Sequence, residues 1–221
     1  DCRGLMVMGP RWGTLFELYL PQNNTLIHLD CDGNRLLNLD LSQNSALNYL
    51  RCGWNRHNFI VGLDSLNTSQ NPNLNYLDCM FSGIKNLDLS QNTTLTYLNC
   101  SVNDLTSLDI SQNITLDTLS CSGNQLTSLD VSQNIALRHL YCSNNNLSSL
   151  DLSQNPVLTH FLCSNNKLTS LDLRNGNNVN FNNANNTNYP AFSALNNDSL
   201  FCISVDDSAW SANNWSASID S

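Results

Sequence analysis

Residues 95–115 read LTYLNCSVNDLTSLDISQNIT, residues 116–136 read LDTLSCSGNQLTSLDVSQNIA, and residues 137–157 read LRHLYCSNNNLSSLDLSQNPV. They share one frame, LxxLxCxxNxLxxLDLSQNxx, which recurs from Leu26, Leu47, Leu74, Leu95, Leu116, Leu137 and Leu158. Its most regular marker is the cysteine at Cys31, Cys52, Cys79, Cys100, Cys121, Cys142 and Cys163, where five of the six spacings equal 21. A unit this short cannot bury its own apolar face, so copies must stack into a solenoid in which each repeat touches only its neighbours. Within LxxLxC, residues two apart share one face of a strand: Leu98 and Cys100 point inward, Tyr97 and Asn99 outward. Stacked copies then make a parallel sheet with rungs about 4.8 Å apart. The second half, LxxLDL, repeats the inward spacing at Leu108 and Ile110. The expected architecture is therefore a parallel β-sheet on the concave face, extended or 3₁₀ segments on the convex face, and little or no α-helix.

This frame resembles the leucine-rich repeat, LxxLxLxxNxL, with Cys replacing the third Leu in every copy. The repeat length, the cysteine and the LDLSxN second half are most similar to bacterial repeats of the internalin J kind and to related Bacteroidetes-type surface and secreted proteins. The resemblance implies adhesion: a bacterial extracellular or cell-surface module that binds a partner, with an export signal outside this stretch and further domains of the same polypeptide.

Residues 1–25 read as an N-terminal cap with a partial repeat, LFELYLPQN, residues 26–173 as seven repeats, and residues 174–221 as an Asn-rich irregular repeat and C-terminal cap. The copy from Leu47 carries six extra residues within RHNFIVGLDSL at 56–66, and Phe59, Ile60 and Val61 are expected to fold over the convex side. Asn34, Asn55, Asn103, Asn124, Asn145 and Asn166 follow the strand where the chain turns inward, and their amides can satisfy backbone groups exposed by the bend. Ser82 interrupts that column. Near the end, LFC at 200–202 is expected to restore one rung of the cysteine row, with Trp210 and Trp215 covering the core.

Composition removes several function classes. Nine basic residues against eighteen acidic ones give a net charge of −9, which repels phosphate backbones and excludes nucleic acid as a partner. No run of 18 apolar residues occurs, so membrane insertion is not expected. Neither GxSxG, HExxH nor a glycine-rich phosphate loop is present, and a smooth solenoid offers no convergent pocket, so neither an enzyme nor a cofactor is expected.

Three columns remain as candidate sites. The seven ladder cysteines are expected to be reduced and buried, because in-register side chains run parallel and hold their Cβ atoms farther apart than a disulfide prefers. Their spacing also lacks the close ligand pairs of a zinc site, and no metal is assigned. Asp40, Asp88, Asp109, Asp130, Asp151 and Asp172 form an outward acidic row, either solvated or bridged by calcium. The third position reads His28, Tyr49, Tyr76, Tyr97, Thr118, His139 and His160, and beside it run Asp30, Arg51, Asp78, Asn99, Ser120, Tyr141 and Leu162. His28, Tyr49, Arg51, Tyr76, Asp78, Tyr97, His139, Tyr141 and His160 are the candidate ligand-binding residues, since rigid aromatics with polar tips suit recognition of a protein or a glycan. The competing expectation is a structural spacer or assembly subunit with no ligand of its own.

Overall fold

The structure is a computed structural model that describes residues 15–56, 62–177, 179, 181 and 191–215, with the backbone of residues 4–6. Each LxxLxC segment folds as a three-residue parallel strand: β2 (His28–Asp30), β3 (Tyr49–Arg51), β5 (Tyr76–Asp78), β7 (Tyr97–Asn99), β8 (Thr118–Ser120), β9 (His139–Tyr141) and β11 (His160–Leu162). With β1 (Gly4–Met6) and β13 (Phe192–Ser193) they form, among the described residues, one nine-stranded sheet in chain order. Register is kept throughout, so Leu50, Leu77, Leu98, Leu119 and Leu140 stand opposite one another. All five are fully buried, each worth roughly 1.5–3 kcal/mol in transfer free energy.

The second half of the repeat returns on the convex side in extended conformation. There β4 (Ser65–Asn67) pairs with β6 (Asn86–Asp88), and β10 (Ser149–Asp151), β12 (Ser170–Asp172) and β14 (Cys202–Ser204) form a second parallel ladder. Too little chain separates the two halves for a helix to fit. The one α-helix among the described residues is the terminal α1 (Ser208–Asn214), capped by the Asp207 carboxylate, which accepts from the Trp210 N–H at 2.8 Å.

All seven ladder cysteines are buried free thiols in line with the leucines. Two asparagine columns clamp the corners. Asn103 is typical of the first: its Nδ2 donates to the carbonyls of Cys79 and Cys100, and its Oδ1 accepts from the backbone N–H of Ser82 and Ile84. Each such residue ties one rung to the previous one. The second column, Asn44, Asn71, Asn92, Asn113, Asn134 and Asn155, comes from the SQN ending and is wholly buried; Asn134 Nδ2, for example, donates to the carbonyls of Ile110 and Asn113.

The irregular copies depart where the chain needs room. Gly62 and Leu63 return beside Ser82: the Leu63 N–H donates to the Ser82 carbonyl at 2.7 Å, and a Cβ on Gly62 would lie 2.2 Å from that oxygen. The smaller Ser82 still donates to the Cys52 carbonyl at 2.9 Å, so one corner bond survives the loss of asparagine. Phe59, Ile60 and Val61 lie outside the described residues. At the C-terminal end, the expectation for LFC is corrected. Cys202 is exposed and lies on the convex strand β14, whereas Ala194, fully buried next to β13, occupies the ladder position. Asn197 supplies the corner amide of that copy, donating to the carbonyls of Cys163 and Ala194. The rung is displaced because the tail before it does not keep the 21-residue count. Trp215 covers the core there, against Phe181 and Phe192, with its indole N–H donating to the Phe181 carbonyl.

Candidate binding face

In β3, β5, β7, β8, β9 and β11 the central residue is buried and the flanking two are partly exposed, so the third and fifth positions of the repeat project from the concave face, although Asp30 of β2 is itself buried. Parallel register then sets equivalent side chains one rung apart, and aromatic rings at that spacing stack. The ring centroids of His28 and Tyr49, Tyr49 and Tyr76, and Tyr76 and Tyr97 are 4.1, 4.3 and 4.2 Å apart, with interplanar angles of 5°, 11° and 2°. Each inner ring spends both faces on its neighbours. What the stack offers a ligand is therefore its edges and hydroxyls. Burial raises the phenol pKa of both Tyr76 and Tyr97, so both remain neutral hydroxyls across the ordinary pH range.

Thr118 ends the stack, and beyond it His139 and His160 make a second, tilted pair at 4.9 Å, with Tyr141 6.4 Å from His139. The candidate stripe is thus two groups separated by one small residue. His139 Nδ1 lies 3.6 Å from Asp117 Oδ2, and the Arg138 guanidinium bonds the other oxygen of that carboxylate at 3.0 Å. Burial, then the neighbouring His139, lowers the His160 pKa, so this imidazole charges at lower pH than a free histidine.

The fifth and seventh positions hold a compact ionic group beside the stack. Arg51 bonds Asp30 at 3.0 Å and Asp32 at 3.2 Å, and lies 4.0 Å from Asp78. Three carboxylates around one guanidinium leave a formal charge of −2. Desolvation raises the pKa of Asp32 and Asp78, opposed by Arg51 in both. Gly53 is required here, since a Cβ would meet Asp32 Oδ1 at 2.8 Å and the Met80 carbonyl oxygen at 2.9 Å. Among the described residues no group of His, Cys, Asp or Glu is arranged to hold a metal. The acidic row on the convex side makes turns: Asp40, Asp88, Asp109, Asp130 and Asp151 each accept the backbone N–H two residues on at 2.8–2.9 Å.

The eighth position escaped the sequence reading altogether. In every described copy it takes a left-handed backbone, as Gly33, Trp54, Phe81, Val102, Gly123, Asn144, Asn165 and Asn196 all have φ between 51° and 70°, apart from the flanking Gly83 and Gly176 of other turns. Glycine and asparagine tolerate this region, while a bulky or β-branched residue there is strained by roughly 1–3 kcal/mol. Three consecutive rungs nevertheless carry Trp54, Phe81 and Val102. The signal was present as a column of Gly and Asn broken by three apolar residues.

No protein-family model and no curated protein matches this chain. Solved structures do. The functional domain of InlJ from Listeria monocytogenes, which includes a cysteine ladder, is 31% identical with a TM-score of 0.69, over 93% of this chain and 45% of that one. The Leptospira interrogans LRR protein LIC12759 is 28% identical with a TM-score of 0.61, over 67% of this chain and 39% of that one. Internalin C2 of Listeria monocytogenes, at 19% identity and a TM-score of 0.59, shares the fold over 82% of this chain and 72% of its own. The chain thus spans less than half of the first two structures.

Proposed function

Taking the chain as a leucine-rich-repeat protein with a cysteine ladder, we propose that it is the recognition module of a bacterial surface or secreted protein, binding a protein ligand across its concave sheet. The observation that carries this reading is the four-ring stack His28–Tyr49–Tyr76–Tyr97 beside the Arg51 ionic group, both partly exposed on the strands. A structural spacer needs neither. Hydroxyl-tipped aromatic edges next to fixed charges suit the mixed apolar and polar surface of a protein. A glycan is served less well, because sugar rings pack on aromatic faces and these faces are occupied by one another. Extracellular placement and further domains are supported by the likeness to InlJ, of which the chain matches less than half.

The test is a screen of extracellular proteins and glycans, followed by single substitutions. Tyr97→Ala should weaken a concave ligand by about tenfold or more, as central aromatic contacts do, and Ser128→Ala on the convex side should not. A ligand whose affinity ignores both Tyr76→Ala and Tyr97→Ala would leave the spacer reading in place.

A further inference from the structure

Trp54, Phe81 and Val102 hold a position that glycine or asparagine fills without strain in the five other described copies. The fold therefore does not ask for them. Nor do they serve the core: Trp54 is 45% and Val102 36% exposed, and Phe81 is half-buried with its ring 5.1 Å from that of Trp54. They occupy the same three rungs as Tyr49, Tyr76 and Tyr97, and the ionic group of Arg51, Asp30, Asp32 and Asp78 lies between the two rows. The rungs from Leu116 onward have Gly or Asn at the eighth position and no carboxylate at the fifth, while the Leu26 rung pairs Gly33 with Asp30. Strain and apolar exposure on these three rungs adjoin the unbalanced negative charge that Asp30 and Asp32 bring from the rung before.

We infer that this edge of the sheet is the docking strip for a short extended protein segment carrying apolar side chains flanked by Arg or Lys. The inference rests on the reading of the concave face as a binding surface and assigns the chemistry of its partner. Three rungs span about 10 Å, the reach of three or four extended residues. Apolar side chains of the segment cover Trp54, Phe81 and Val102. Its cations meet the excess carboxylate charge around Arg51, where the side chains of Asp30, Asp32 and Asp78 keep 12%, 23% and 15% exposure. Val102 offers no ring face, which fits a peptide and not a sugar. Backbone strain retained at an exposed row, where a relaxed residue would fold better, marks selection for contact.

The probes are a blocked synthetic peptide alternating Leu and Arg and its counterpart with Glu for Arg, titrated against the parent, Trp54→Asn, Phe81→Asn, Val102→Asn and Tyr97→Ala proteins. The Arg peptide should bind more tightly than the Glu peptide, and its affinity should fall with added salt. Phe81→Asn and Val102→Asn should each weaken it about tenfold while raising the melting temperature, since Asn relaxes the backbone. Lower melting temperatures in both variants would assign the row to folding and overturn the proposal. So would equal binding of the two peptides, or no binding of either. Failure of the peptide alongside an array ligand lost in Tyr97→Ala would remove the strip and keep the concave-face function. Peptide binding that depends on Phe81, with no ligand responding to Tyr97→Ala, would do the reverse.

Discussion

The Thr68 hydroxyl donates to Asn92 Oδ1 at 2.7 Å, closing a valence left open elsewhere in the same column. Asn71, Asn113, Asn134 and Asn155 hold equivalent buried sites, and their Oδ1 atoms have no donor. The difference is the residue 24 positions earlier, which is Thr68 for Asn92 and Val131 for Asn155; Asn155 Nδ2 already donates to the Val131 carbonyl at 3.0 Å. Burying a hydroxyl in place of a methyl costs about 1–3 kcal/mol when it finds no partner. Val131→Thr supplies the missing donor to Asn155 Oδ1, so its stability in urea should stay within about 1 kcal/mol of the parent. A loss near 3 kcal/mol would mean that the Thr68 geometry does not transfer between rungs.

The cysteine ladder should be chemically silent while the protein is folded. Burial raises the thiol pKa at every rung, to about 12 at Cys31, where Asp30 and Asp32 add to it. Thiolate labelling of native protein should reach exposed Cys202 and spare the seven ladder cysteines, which denaturation should release. Cys121→Ser should cost about 1–3 kcal/mol and Cys121→Ala less, because only the serine buries an unmatched hydroxyl.

The acidic row should respond to acid and not to calcium. The Ser132 N–H holds the Asp130 carboxyl below its ordinary 3.8, and Asp40, Asp88 and Asp109 are lowered in the same way. A lowered folded-state pKa contributes stability that is fully present above 3.8 and lost as pH falls through the folded value, so melting temperature should drop below about pH 4. Asn67 makes the same turn, accepting from the Ser69 N–H at 3.0 Å, so Asp130→Asn should be nearly neutral and Asp130→Ala should not. Millimolar calcium should leave the melting temperature of both parent and Asp130→Asn unchanged; a shift confined to the parent would show that the row binds it.

His160 should give a second, milder pH dependence. Its folded-state pKa lies below the ordinary 6.5, so the folded protein prefers the neutral imidazole. Well above pH 6.5 both states are neutral and nothing changes. As pH falls below it the unfolded chain takes the proton first, and stability declines until the folded form is protonated too. The decline in melting temperature between about pH 7 and 5 should be shallower in His160→Gln than in the parent.

Periodicity alone determined the solenoid, the parallel register, the buried cysteine row and the column of residues on the concave face. Each follows from which way a side chain points in a two-residue strand period, repeated every 21 residues from Leu26 to Leu158 except across the longer copy from Leu47. Tertiary structure decided everything that depends on the neighbouring rung. Whether tyrosines at the third position present faces or edges is set by the ring one rung away, since rings held 4.2–4.3 Å apart must stack. The SQN asparagines read as polar turn residues, yet the carbonyls they bind lie a full repeat or more back, 21 and 24 residues for Asn134, which buries them completely. Cys202 keeps the LxC pattern but lost its register in the tail before it, leaving Ala194 in the ladder. The left-handed backbone at Trp54, Phe81 and Val102 is imposed by the corner all copies share, overriding the local preference of those three side chains.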